Sequence, residues 1–506
     1  MPHALDGGTG PDPRTVARTW VDSYPPGVPP TYGYPGVLLS RFLDDAVRDF
    51  PGTVALDAPG VSLSYRDLVD VVDRFAGALE GLGVDHRRPL GLLLDRGPGW
   101  AVACFASWRL GAAVVPVDPG LTDTEVHRRL ARTGVRVLVT GPAGIDRVRS
   151  IRGALPALQR TIVTADGDWL PRIRRVLHRL RSRGTGTYRR VTARDDVLQL
   201  ADLIDTVQPR RSPQRHADPT DTAAVLFDQA GEPLAFAHRH LVAAAFQSRL
   251  WVPDVQAGRE RILVVGPSDD PHALVAGLLD PVLSAATVVI APVGEPDAVA
   301  AAIESGRPTL LRGSAELFGK LAATSADLAS LRACLAVTGS LDGDTVDRFA
   351  IATHGARLRR AYGPVAAAGL THANPVYGRA SVDAIGLPVS DTLACLVELD
   401  DPGALVQPGR TGRLLVRGPQ VTRVRWAPPG EVPGTGPAAA TQAGAMDGDD
   451  AGWFDTGDRA CVDADGWFTL VTEDAASAHA TGDQRASGGI LTPGPEAAAT
   501  DDEDAR

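Results

Sequence analysis

The sequence has one lysine, Lys320, against fifty arginines in 506 residues. Arginine carries the same charge but not the same chemistry, so any lysine-dependent reaction runs through Lys320 or not at all. Cysteine is scarce too. Cys104, Cys334, Cys395 and Cys461 are scattered without the spacing of a metal site, which fits buried thiols in a reducing cytosol. No uninterrupted apolar run reaches the length of a membrane span, and the opening MPHALDGGTGPDPRT lacks the apolar core of a secretion signal. Basic charge is in deficit: the formal net charge of −10 argues against nucleic acid as a partner. These absences predict a soluble cytoplasmic protein. With 44% hydrophobic residues it can bury a sizeable core and fold as more than one subdomain.

What is present is an alternation of elements. Leu38, Leu39, Phe42, Leu43 and Val47 recur at helical spacing within 38–50, and 63–84 reads as an amphipathic helix capped by Ser64 and ended by Gly81 and Gly83. A strand over 90–94, a helix over 100–110 and a strand–helix–strand unit over 111–140 follow, and 261–292 alternates again. Strands alternating with helices predict an α/β fold, a parallel sheet covered on both faces. One stretch is strongly basic, WLPRIRRVLHRLRSRGTGTYRR at 169–190, with apolar residues on one helical face and arginines on the other. It reads either as a solvated helix packed on its own domain or as a peripheral contact with the inner face of an anionic membrane.

The organising stretch is 221–241, DTAAVLFDQAGEPLAFAHRHL. An apolar run at 223–227, a turn with Gly231 and Pro233, and a helix opening at His238 form the frame of a phosphate-binding loop. Such a loop works through small residues that let backbone N–H groups approach, hydroxyl donors and usually a lysine. This turn has one glycine, no hydroxyl, no lysine and two carboxylates, Asp228 and Glu232. A carboxylate about 4 Å from a phosphate charge costs about 4 kcal/mol at an effective dielectric of 20. Taken alone, the segment is an ordinary strand, turn and helix.

Its surroundings carry longer motifs: WVDSYPPGVP at 20–29, HRHL at 238–241, RAYGPVAAAGLTHANP at 360–375, IGLPVSDTLACLVELDDPG at 385–403, and GWFDTGDRACVDADGWFTLV at 452–471. Over about residues 18–471 the chain resembles the adenylate-forming (acyl-CoA synthetase, AMP-binding) superfamily, and within it bacterial long-chain-fatty-acid–CoA ligases. The resemblance implies the N-terminal domain of an adenylate-forming enzyme, two packed, mostly parallel sheets with flanking helices plus a small β-subdomain. It divides the chain into a disordered 1–17, an α/β core over 18–375, the β-subdomain over 376–426, a low-complexity linker over 427–452, a ribose-binding-type hairpin over 453–471, and 472–506 as a disordered remnant of a C-terminal domain that is otherwise absent.

Residue by residue, the resemblance is uneven. Where the family reads TGGTTGxPKG, Gly231 remains, but Asp228 and Leu234 stand in the threonine-rich run and at the lysine. Where it reads GYGLTEASPVTHANP, Tyr362 and Gly363 remain for the adenine, but Val365 and Ala366 replace the phosphate-binding Thr and the magnesium-binding Glu. Gly339, in Thr338-Gly339-Ser340, takes the place of a turn near the adenine, although a plain strand-to-helix turn accounts for it equally. Asp458 takes the place of the ribose-binding Asp, with a turn aspartate capping its own backbone as the rival. His272, Gly313 and Ser314 are the acyl-pocket candidates, and Glu473 stands where a hinge Arg is expected. No catalytic residue and no metal ligand is identified: ATP or AMP is the cofactor implied, and a site with valine and alanine for threonine and glutamate does not hold Mg²⁺. The expected partners are a fatty acid or acyl-adenylate and a partner acyl-CoA ligase. Two readings result: a catalytically impaired binding protein of ligase fold, or an active fatty acyl-CoA synthetase with a divergent phosphate loop.

Overall fold

The computed structural model describes residues 16–170, 196–207, 217–291, 295–401, 403–428 and 452–471. The basic segment beyond Leu170, the linker over 429–451 and the C-terminal stretch with Glu473 lie outside the described residues. Trp169 and Leu170, which open the basic segment, are buried.

Two large sheets organise the chain. One has seven strands in the order Val197–Gln199, Arg160–Val163, Val137–Thr140, Leu90–Leu93, Val114–Pro116, Thr222–Phe227 and Pro233–Ala237, all parallel except the last. The other has nine, with six parallel strands from Arg357–Tyr362 through Ala333–Thr338, Leu310–Ser314, Arg261–Val264 and Thr287–Val289 to Val54–Ala58, and antiparallel strands at both edges. Helices fill the space between them. Tyr65–Gly81 starts at Ser64 with a reciprocal capping box to Asp67. Every residue of Pro98–Arg109 is buried, as an apolar helix without a polar face requires.

The structure corrects two expectations. The turn after Phe227 does not lead directly into the helix: Pro233–Ala237 runs back antiparallel to Thr222–Phe227, with Leu226 opposite Leu234, and the helix His238–Leu250 begins only afterwards. All five residues of that returning strand are buried, so a run as short as PLAFA gains more from pairing than from extending the helix. Likewise, the hairpin over 453–471 is not a unit of its own. Phe454–Val462 pairs with Gly412–Arg417 and completes a four-stranded antiparallel sheet with Leu393–Val397 and Phe468–Leu470.

Two histidines are built into this core in neutral form. The His238 ring accepts the Leu39 amide at 3.2 Å, and His372 lies edge-on to Phe468 at 4.8 Å. Burial pushes both down from the ordinary imidazole range to about 3. Because the folded value is the lower one, the unfolded chain binds more protons below about pH 6.5, and stability is lost as the pH falls from there toward 3. At pH 5 the loss is about 2 kcal/mol per histidine. Thermal unfolding between pH 7 and 5 is expected to show a falling midpoint, with a shallower fall in His372→Phe; an equal slope in both proteins would count against this account.

Candidate functional site

A cavity of about 710 Å³ opens where the nine-stranded sheet meets the small one. It lies outside the carboxyl ends of parallel strands, where α/β sheets ordinarily bind ligands. Ala333–Thr338 ends at one wall in Thr338, Gly339 and Ser340, and Arg357–Tyr362 ends at another in Tyr362 and Gly363. Thr456, Gly457 and Asp458 reach in from the small sheet, while Asp270, Pro271 and His272 start a helix at the far side.

The structure thus brings together Asp228, Leu234, His272, Gly339, Tyr362, Gly363, Val365, Ala366 and Asp458. Tyr362 is the hinge of the arrangement. Its hydroxyl donates to Asp458 Oδ2 at 2.5 Å, tying the large sheet to the small one. Burial first, then the Asp458 charge, push the phenol well above its usual range, so it stays a donor. Two glycines are structural necessities. Gly339 has φ +81°, and a Cβ on Gly363 would sit 1.8 Å from the Gly369 carbonyl oxygen.

Other candidates fall outside this cavity's lining. Ser314 Oγ accepts the Leu317 amide at 3.1 Å and caps the helix Ala315–Leu321, and Gly313 packs under Leu317. Gly231 is covered by Arg128, whose guanidinium donates to the Ala230 carbonyl at 3.0 Å. Lys320 pairs with Glu316 at 2.7 Å on the exposed face of its helix. It is the only lysine in the sequence, so no lysine lines the cavity.

The turn after Phe227 is neutralised from within the protein. Asp228 accepts the Glu232 amide at 2.8 Å with one oxygen and Arg425 Nη1 at 2.7 Å with the other. Glu232 pairs with Arg132. These partners lie 100 and 197 residues away, and sequence reading missed them for that reason. Opposite, Val365 and Ala366 form a short helical turn; Ala366 is buried, and its carbonyl accepts the Thr422 amide. Among the described residues, no group of three or more His, Cys, Asp or Glu side chains is placed to hold a metal ion.

Behind His272 the interior is charged. The helical segment continues through a π turn, Val275–Leu279, into Asp280–Leu283. Arg312 donates to Ser248 Oγ at 2.7 Å and to Asp280 Oδ2 at 3.0 Å, and Ser248 donates to the same carboxylate oxygen at 2.6 Å. All three side chains are buried. Burial drives Arg312 down and Asp280 up, and their mutual attraction opposes both shifts. Arg96, half-buried and pushed down to about 10 by desolvation, donates to the Val264 carbonyl and lies against Gly277, where a Cβ would be 2.8 Å from Nη2. The signal for this network was a lone charge inside each of two apolar runs, TLLRGS and GLLDPVL.

Residues 43–426 match the model of the family described as AMP-binding enzyme. The chain belongs to that family. A long-chain-fatty-acid–CoA ligase of Bacillus subtilis is 24% identical to this AMP-binding family member over 463 residues, covering 90% of this chain and 80% of the relative. In structure the family member is similar to an anthranilate CoA ligase solved in complex with anthranoyl-AMP, with a TM-score of 0.72 at 21% identity over 88% of this chain and 78% of the other. It is also similar to a long-chain-fatty-acid–CoA ligase of Archaeoglobus fulgidus, with a TM-score of 0.71 at 16% identity over 90% and 88%. These likenesses give the AMP-binding member the fold of adenylate-forming N-terminal domains. No helix among the described residues is long and apolar enough to cross a membrane.

Proposed function

We propose that this AMP-binding family protein binds an adenine nucleotide carrying an acyl group and does not form it. The observation that carries the reading is the self-neutralised turn: Asp228 and Glu232 are engaged by Arg425 and Arg132. A triphosphate there would meet the Asp228 carboxylate and no lysine. The adenosine half of the cavity keeps what a nucleoside needs. Tyr362 offers an aromatic face, Gly339 and Gly363 allow close approach of a base, and Asp458 offers a carboxylate to ribose hydroxyls. The complex of the anthranilate CoA ligase with anthranoyl-AMP supports an acyl-adenylate as the ligand class. Such a ligand would come from a partner acyl-CoA ligase, with His272 bordering its acyl group.

The residues do not fit a magnesium ion at Ala366, since a methyl group offers no oxygen ligand. No step is therefore derived through one. The competing reading, an active synthetase, rests on Arg360 and Arg425, which line the cavity and would have to serve as phosphate ligands. Calorimetric titration separates the two. 5′-O-sulfamoyladenosine, a non-hydrolysable mimic of the nucleotide half, is expected to bind, and MgATP is expected not to. Saturable MgATP binding as tight as that of the mimic would return the protein to the enzymes.

A further inference from the structure

We infer that the acyl group accepted by this cavity is short and carries a hydrogen-bonding substituent, because the interior beyond His272 is occupied by a buried network of Arg312, Asp280 and Ser248 together with Arg96. The inference rests on the reading of the cavity as an acyl-adenylate site and narrows its ligand class. Four features converge on it.

His272 lines the cavity and opens the helical segment that leads inward. Further along that segment, Asp280 accepts from Ser248 and Arg312. Burial depresses the His272 imidazole, the Asp270 charge opposes that shift and the Arg312 charge adds to it. Beyond Leu274 and Val275 the way inward therefore meets a buried ion pair. An alkyl chain entering there would have to separate Arg312 from Asp280 where both are buried, and methylene groups offer neither charge a partner.

Arg96 closes the other flank. Its guanidinium lies against the only residue of the π turn without a side chain, Gly277, so the turn leaves no slot beside it for an alkyl chain. Lastly, His272 Nδ1 is buried with no hydrogen-bond partner, and so is Arg96 Nε. Unsatisfied polar atoms behind one wall of a cavity disfavour an apolar neighbour and favour one that brings a hydroxyl or another acceptor. The inward end of the segment is thus polar where a fatty acyl chain would need an apolar tunnel.

The test is a series of N-acyl derivatives of 5′-O-sulfamoyladenosine titrated calorimetrically into the native protein: butanoyl, 3-hydroxybutanoyl and octanoyl. If methylenes are accommodated, each tightens binding about fourfold. The expected result is no gain from butanoyl to octanoyl, and a gain of about fivefold from butanoyl to 3-hydroxybutanoyl, the worth of one net hydrogen bond. A steady rise with chain length overturns the inference while leaving the nucleotide reading intact. Failure of underivatised sulfamoyladenosine to bind removes the nucleotide reading, and the inference with it. A second probe is independent of the nucleoside. cis-Parinaric acid, a long fluorescent fatty acid, is expected not to bind saturably; binding that palmitate displaces would overturn the inference by itself.

Discussion

Mixed with ATP, Mg²⁺ and a carboxylic acid, the protein will release no pyrophosphate above the uncatalysed background. Adenylation brings a carboxylate onto the α-phosphorus, and the catalyst contributes mainly position and charge neutralisation. Removing a single preorganised donor from such a site typically costs on the order of 10²- to 10³-fold. Here the turn that would cradle the phosphates has no hydroxyl and no lysine, and its two carboxylates are already bonded to Arg425 and Arg132. Val365 and Ala366 supply neither a donor nor a metal ligand across from it. Such losses are not additive, so the rate is expected to lie at least about 10²- to 10³-fold below that of an intact site. A coupled pyrophosphate assay over several acids, chain lengths and metal ions tests the expectation. Turnover on the scale of seconds with any acid would refute it and would identify Arg360 and Arg425 as a phosphate site of a different design.

Asp280→Ala will be the most destabilising single change in the cavity's surroundings, at about 3–5 kcal/mol. The carboxylate is buried, and its loss strands Arg312 without a counter-charge and Ser248 without its acceptor. Replacing the pair by apolar residues of similar volume is a different experiment. In Asp280→Leu combined with Arg312→Met no charge is left unpaired, so most of the loss is expected to be recovered. Denaturant unfolding of the two variants gives the comparison. A double variant as unstable as the single one would show that the network holds the backbone in place and does more than satisfy its own charges.

The regions of the fold written in local signals were legible in the sequence. Ser64 with Asp67 three residues on marked a helix start, and the alternation of strands and helices marked a parallel α/β sheet. The motif around Tyr362 and the one around Asp458 were legible as segments, and the structure sets them at one cavity with a hydrogen bond between them. What was not legible depends on pairing across long stretches of chain. PLAFA follows a turn and precedes a helix, and only its neighbour in the sheet makes it a strand. Asp228 and Glu232 read as bare charges facing a ligand, because Arg425 and Arg132 are far away in sequence. Arg312 and Asp280 each interrupt an apolar run, and neither residue announces the other. Ser314 carries a local signal of another kind: its position in a motif pointed to a pocket, and its hydroxyl caps the helix that follows.

The bonded carboxylates of the turn also bear on which sequences lie within reach of this one. A single substitution of Asp228 by threonine would supply a hydroxyl but release Arg425, and one of Glu232 by glycine would release Arg132. A lysine at 234 would have to leave the ladder position opposite Leu226 and enter a turn already covered by Arg128. Each step toward a phosphate cradle thus discards a contact before it gains one. On the proposed reading the turn behaves as a ratchet: a phosphate-cradling sequence lies several changes away, and each of these alone discards a contact.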